Sequence, residues 1–145
     1  MNEKTINFLK SKFFIAISIS FFTITSCSPD KGETNPTSDR ENFVGTWKCQ
    51  ENSSRYGTST FDIQIGTDSS NSSNILIENI YNLGFKYKTS AIVNGNSFRI
   101  PSQSISGNII EGSGISQTTN IINMKYLVND GGGIIDSVSS ILNRR

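Results

Sequence analysis

From Phe43 onward, apolar side chains recur at every second position, in short runs separated by turn-forming residues. Only extended strands with one buried face satisfy that period, because successive strand side chains point to opposite faces. Phe61, Ile63 and Ile65 alternate with Asp62 and Gln64, and Ile122, Met124, Tyr126 and Val128 alternate with Asn123, Lys125 and Asn129. In Val44-Gly45-Thr46-Trp47-Lys48-Cys49, Trp47 and Cys49 share the face opposite Lys48. Phe98 and Ile100 bracket an outward Arg99. Ile75 to Tyr81 is apolar on both parities and predicts a strand, or a strand with a bulge, ended by Asn82-Leu83-Gly84. Phe85, Tyr87, Ala91 and Val93 continue the inward set, with Lys86 and Lys88 outward.

The punctuation between these runs sets the topology. Asn94-Gly95-Asn96 predicts a tight hairpin, because its residues tolerate positive φ. Ser106-Gly107-Asn108 and Asp130-Gly131-Gly132-Gly133 read as further turns, and Gly66 to Ser73 as a polar loop. Pro101 confines its strand to an edge, an end or a bulge. Gly112-Ser113-Gly114 predicts a bulge or sharp bend inside the strand that starts at Ile109. Ile134 to Leu142 holds the last strand. About eight strands joined by short turns predict an all-β, antiparallel, up-and-down meander closed as a small barrel, with helix limited to a single turn. Scarce Ala and Leu agree with that class.

The chain before Phe43 is different in kind. Lys4, Lys10 and Lys12 precede an uncharged apolar run from Phe13 to Ile24, which is the order of an export signal. The run is shorter than the roughly twenty residues that span a bilayer. Ile24-Thr25-Ser26-Cys27 resembles the bacterial lipobox: an aliphatic residue, two small residues and a cysteine. The resemblance implies cleavage after residue 26, acylation (palmitate among the acyl groups) of Cys27, and a membrane anchor. Two or three acyl chains, at about 0.8 kcal/mol per buried CH₂, hold a domain on a membrane nearly permanently. Ser28 to Glu41 contains no apolar side chain and is expected to be a flexible tether. Residues 1–26 thus form the signal peptide, 27–41 the acylated cysteine and tether, and 42–145 the barrel domain. The position after Cys27 is Ser28, not an acidic residue, which under lipoprotein sorting implies an outer-membrane lipoprotein of the cell envelope.

Gly45-Thr46-Trp47 resembles the Gly-X-Trp that opens the first strand of lipocalins, in which an Arg near the C-terminus packs over the Trp; Arg144 could take that role. Phe43 to Arg145 as a whole resembles small lipocalin-like lipoproteins of the Bacteroidota envelope, through that triplet, Ile100-Pro101-Ser102-Gln103, Gly112-Ser113-Gly114 and the Tyr126 to Asp136 stretch. The resemblance implies an eight-stranded barrel and little chemistry. Such a barrel is only just wide enough for its own side chains or one small ligand. The bulky inward set, from Trp47 through Phe61, Phe85, Tyr87 and Phe98 to Tyr126, favours a filled core over a ligand cavity.

Composition removes most chemistry. There is no histidine, and hence neither the commonest general base nor the commonest metal ligand. Cys49 is the one thiol beyond Cys27, and it reads as a buried apolar side chain. Asp62, Glu78, Glu111, Asp130 and Asp136 are scattered and read as solvated carboxylates. Asp136-Ser137-Val138 resembles the O-glycosylation triplet of Bacteroidota. From Cys27 onward ten basic side chains face eleven acidic ones, which gives no basic patch for nucleic acid. The expectation is a monomeric, non-enzymatic module without cofactor or metal. It would hold a small apolar ligand, or contact a protein through the polar loops Asn52 to Thr58 and Gly66 to Asn74.

Overall fold

A computed structural model describes residues 36–145; the readings on the signal peptide, on Cys27 and on most of the tether lie outside the described residues. After a short helix α1 (Pro36–Glu41) come eight strands: β1 (Gly45–Ser53), β2 (Gly57–Thr67), β3 (Asn74–Glu78), β4 (Lys88–Asn94), β5 (Ser97–Ile105), β6 (Asn108–Thr118), β7 (Ile121–Asn129) and β8 (Ile135–Arg144). Each pairs antiparallel with the next, and β1 pairs with β8, so the sheet closes in sequence order as an up-and-down barrel. Every strand therefore has a neighbour on both sides, and none is an edge strand. The last residues of the polar stretch read as tether form α1, and Arg40 donates from there to the carbonyls of Asp68 and Asn71 in the β2–β3 loop.

The alternation maps onto the barrel as expected. On β1, Trp47 and Cys49 face inward; on β7, Ile122, Met124, Tyr126 and Val128 do; on β5, Phe98 and Ile100 do. Most of the apolar interior is 0–3% exposed, so these side chains touch one another with no room for water. Each fully buried Ile or Phe contributes about 1.5–3 kcal/mol relative to exposure.

Three expectations change. The strand expected from Ile75 to Tyr81 stops at Glu78, because Asn79 (φ 65°), Tyr81 (φ 55°) and Asn82 (φ 54°) are left-handed, which no strand accommodates. Phe85 and Tyr87 therefore fall in the β3–β4 connection rather than in a strand, and Phe85 is exposed. Gly112 and Gly114 do not form a bulge: β6 runs through them in unbroken register with both neighbours. They are inward positions at close approaches. A Cβ on Gly114 would lie 2.2 Å from the Phe98 ring, and one on Gly112 would lie 2.3 Å from the Lys125 carbonyl.

The bulge sits where Pro101 lacks its N–H, between Ile100 and Gln103 of β5. The β4–β5 ladder has only three rungs, Ile92 to Asn94 against Ser97 to Arg99, and stops before the bulge. The Gln103 side chain takes over from the missing backbone. Its Oε1 accepts from the Ser90 N–H (2.9 Å) and its Nε2 donates to the Ser90 carbonyl (2.8 Å).

Candidate functional site

The two ends of the barrel are built from different residues. At the end where α1 enters, Phe43 packs edge-on against Phe98 with ring centroids 5.3 Å apart, and the Trp47 indole N–H donates to the Phe43 carbonyl (2.9 Å). The Arg144 guanidinium lies 4.1 Å from the Trp47 ring centroid and donates to the carbonyls of Val44, Asn42 and Thr119 at 2.7–2.8 Å. Gly45 has φ +142°, and a Cβ there would stand 2.8 Å from Arg144 Nη1, which is why the Gly-X-Trp triplet needs its glycine. This end is closed and apolar.

The opposite end, the mouth, is polar inside. Continuing the period of two along β1 past Trp47 and Cys49 brings Glu51 and Ser53 inward. β8 presents Asp136, Val138, Ser140 and Leu142 to the same interior. Asp136, read from the sequence as solvated, is 1% exposed. Its carboxylate accepts from Ser53 Oγ (2.5 Å), Ser54 Oγ (2.8 Å), Tyr81 OH (2.7 Å) and the Arg55 N–H (3.1 Å). Burial pushes its pKa up, but the hydrogen bonds from Ser53, Tyr81, Ser54 and Arg55 together outweigh burial and hold it below the usual carboxylate range. Four donors use all the lone-pair directions of a carboxylate.

Glu51 behaves oppositely. Burial raises its pKa, the hydrogen bond from Tyr126 OH works against that, and the Asp136 charge adds to the rise. Burial, with the Glu51 charge behind it, pushes the Cys49 thiol up to about 12, so it is an inert core side chain as expected. Burial also raises the Tyr126 and Tyr81 phenols, so both remain proton donors.

The β3–β4 connection plugs the mouth. Asn79, left-handed, ties both its ends: Nδ2 donates to the Asp62 carbonyl (2.7 Å) and Oδ1 accepts from the Gly84 N–H (2.7 Å). Ile80 is buried, and Tyr81 projects between Tyr56 and Tyr126, 6.3 Å from each ring centroid, to reach Asp136. A left-handed aromatic residue costs of order 1–3 kcal/mol, which the surrounding hydrogen bonds must offset. On β4, Thr89 is fully buried beside the Gln103 bridge, and its hydroxyl has no partner among the described residues. Around the mouth stand exposed apolar tips: Tyr56, Phe85, Ile134 and Ile135.

The sequence-derived contact loops do not share a face. The Asn52 to Thr58 hairpin tip is at the mouth, whereas Gly66 to Asn74 joins β2 to β3 at the closed end beside α1. Of the scattered carboxylates, Asp62, Glu78 and Asp130 make partly exposed ion pairs with Arg145, Lys88 and Arg55. Glu111 is exposed. Asp136 alone enters the interior network, and Glu51, which the carboxylate survey missed, joins it. Its signal was the parity of Trp47 and Cys49. Among the described residues no group of His, Cys, Asp and Glu could hold a metal, and no helix is long and apolar enough to cross a membrane.

No family model matches this chain, and no curated protein does. Among solved structures it is similar to EF1p2_mFAP2b bound to DFHBI, with 13% identity and a TM-score of 0.56 over 75% of this chain and 98% of that one. It is also similar to a redesigned beta barrel, b11L5F_LGL, with 9% identity and a TM-score of 0.54 over 74% of this chain and 95% of that one. At these identities the likeness is one of fold, and the lipocalin-like closed barrel expected from the sequence is the fold observed.

Proposed function

We propose that this chain is a lipid-anchored outer-membrane lipoprotein whose barrel is a non-catalytic binding module, with a small, mostly apolar ligand entering at the mouth. The observation that carries this reading is the plug: Tyr81, held in a left-handed conformation, fills the mouth and donates to Asp136. A ligand with an apolar body and one donor group would take the place of the phenol, and the unpartnered Thr89 hydroxyl offers it a second hydrogen bond. EF1p2_mFAP2b, which is similar in fold, is bound to DFHBI, and that supports this reading. The packed closed end limits any ligand to the mouth half. Asp136, with all its lone pairs used and no histidine nearby, is a poor general base, which favours binding over catalysis.

The anchor rests on Ile24-Thr25-Ser26-Cys27 and the apolar run before it. The described chain begins at the closed end, opposite the mouth. A second reading, a protein contact, is favoured by the exposed Tyr56 (66%) and Ile134 (62%) on the mouth's rim.

Mass spectrometry of the chain extracted from its host in mild detergent tests both parts. Under denaturing conditions, a chain beginning at an acylated Cys27 is expected; an unmodified full-length mass removes the anchor. Under native conditions, an added mass of a few hundred daltons is expected; a bare barrel removes the ligand and leaves the protein contact.

A further inference from the structure

On the outer wall, far from the Tyr81 plug, one rung of the sheet sets Arg99 of β5, Ser113 of β6 and Lys125 of β7 side by side. All three point outward, and Arg99 and Lys125 are the rims of a hollow of about 630 Å³. Its floor runs along β6, where Ser113 stands between Gly112 and Gly114 and no bulky side chain fills the space. Ile92, beside Arg99 on β4, and Ile115, two rungs on, are both partly exposed and give the hollow an apolar flank.

Neither cation has a carboxylate within ion-pair distance among the described residues, whose four ion pairs involve other side chains. Glu111, two residues along β6, shares a neighbouring hollow with Arg99 and Lys125, forms no ion pair with either, and does not line this one. Two like charges across one serine repel each other unless an anion lies between them. Arg supplies a planar fork of donors, Lys a point charge and Ser a hydroxyl, a set that suits a phosphate better than a single carboxylate oxygen.

We propose that this hollow is a second binding site, for a phosphate-headed amphiphile, with the phosphate between Arg99 and Lys125 over Ser113 and an aliphatic segment along Ile92 and Ile115. The chemistry is shared by a soluble alkyl phosphate and by a phospholipid headgroup. A membrane source has its own arm, and that arm alone rests on the anchoring proposed above.

The test follows backbone amide signals of the full chain by nuclear magnetic resonance during titration with hexyl phosphate, inorganic phosphate and hexanol, and separately with phosphatidylglycerol vesicles against phosphatidylcholine vesicles. Hexyl phosphate is expected to shift Ser113, Ile115 and Lys125 saturably, at least ten times more tightly than inorganic phosphate, with hexanol inactive. A response confined to phosphatidylglycerol vesicles assigns the site to the membrane headgroup. In both arms the Arg99→Gln/Lys125→Gln double variant loses at least tenfold in affinity; its unchanged thermal unfolding shows that the fold survives. No saturable shift in either arm, equal binding of inorganic phosphate, or an undiminished response in the double variant overturns the proposal. Tyr81 and Leu83 signals remain still throughout, which separates this site from the mouth.

Discussion

At one end of the barrel an arginine, a tryptophan and two phenylalanines close the interior; at the other, two carboxylates, three tyrosines and two serines do the same. The closed end relies on apolar contact, with Arg144 spanning it through backbone carbonyls. The mouth relies on side chains standing in for backbone: Gln103 for a ladder, Asn79 for a turn and Tyr81 for a wall. Apolar contact is non-directional and survives small shifts. A hydrogen-bonded closure is all or nothing at each bond, because a buried donor without its acceptor costs about 1–3 kcal/mol. The first end suits permanence and the second suits exchange.

Four variants would break or sharpen that contrast. Trp47→Ala should cost most, about 3–5 kcal/mol of unfolding free energy in urea titration, through the cavity it leaves. A loss under about 1 kcal/mol would mean that the closed end is not where cohesion resides. Asp136→Ala should cost about 3 kcal/mol by leaving Ser53, Ser54, Tyr81 and the Arg55 N–H without their acceptor. Because the folded pKa of Asp136 lies below its unfolded value of about 3.9, the stability it contributes is present above that pH and is lost as pH falls through the folded value. An acid-unfolding midpoint identical in Asp136→Asn would contradict this.

Tyr81→Phe should cost about 1.5–3 kcal/mol, the worth of one hydrogen bond to a charge. Its signature is local: hydrogen exchange at the Leu83 and Gly84 amides should speed up while the Trp47 amide holds its rate. Uniform acceleration would show that the plug and the barrel open as one unit. Glu51→Gln should have the smallest effect, and the opposite pH sign to Asp136. The raised folded pKa of Glu51 means that its contribution is present below about pH 4.3 and lost as pH rises through the folded value. The variant should therefore flatten the decline in thermal stability over that rise, and an unchanged profile would remove Glu51 from the account.

The strands, most of their inward faces, the Gly95–Asn96 hairpin and the Arg144–Trp47 pairing were legible in the sequence, because period two and turn chemistry are local signals. The mouth was not. On β8, Ile135 and Ile141 compete with Val138 and Leu142 for the inward parity, and hydrophobicity alone favours neither; pairing with β1 decides it and carries Asp136 inside. Glu51 was within reach of the parity of Trp47 and Cys49, but a carboxylate on an inward position argues against itself until Tyr126 supplies its partner. The plug was hidden because Ile80 and Tyr81 look like strand residues, and only the left-handed Asn79 turns them into a lid. Gln103 had no local signal, since its role exists only once Pro101 has removed a rung.

The pairing of β1 with β8 also sets a timetable. Arg144 reaches back 100 residues to the Val44 carbonyl, and Cys49 lies opposite Leu142. Until β8 docks, β1 has a neighbour on one side only, and the interior behind Trp47 is open to solvent. Contacts at that separation carry a loop-closure cost that must be met before they contribute anything. Closure therefore waits on β8: the hairpins are local and can pair first, and docking of the eighth strand seals them into a vessel.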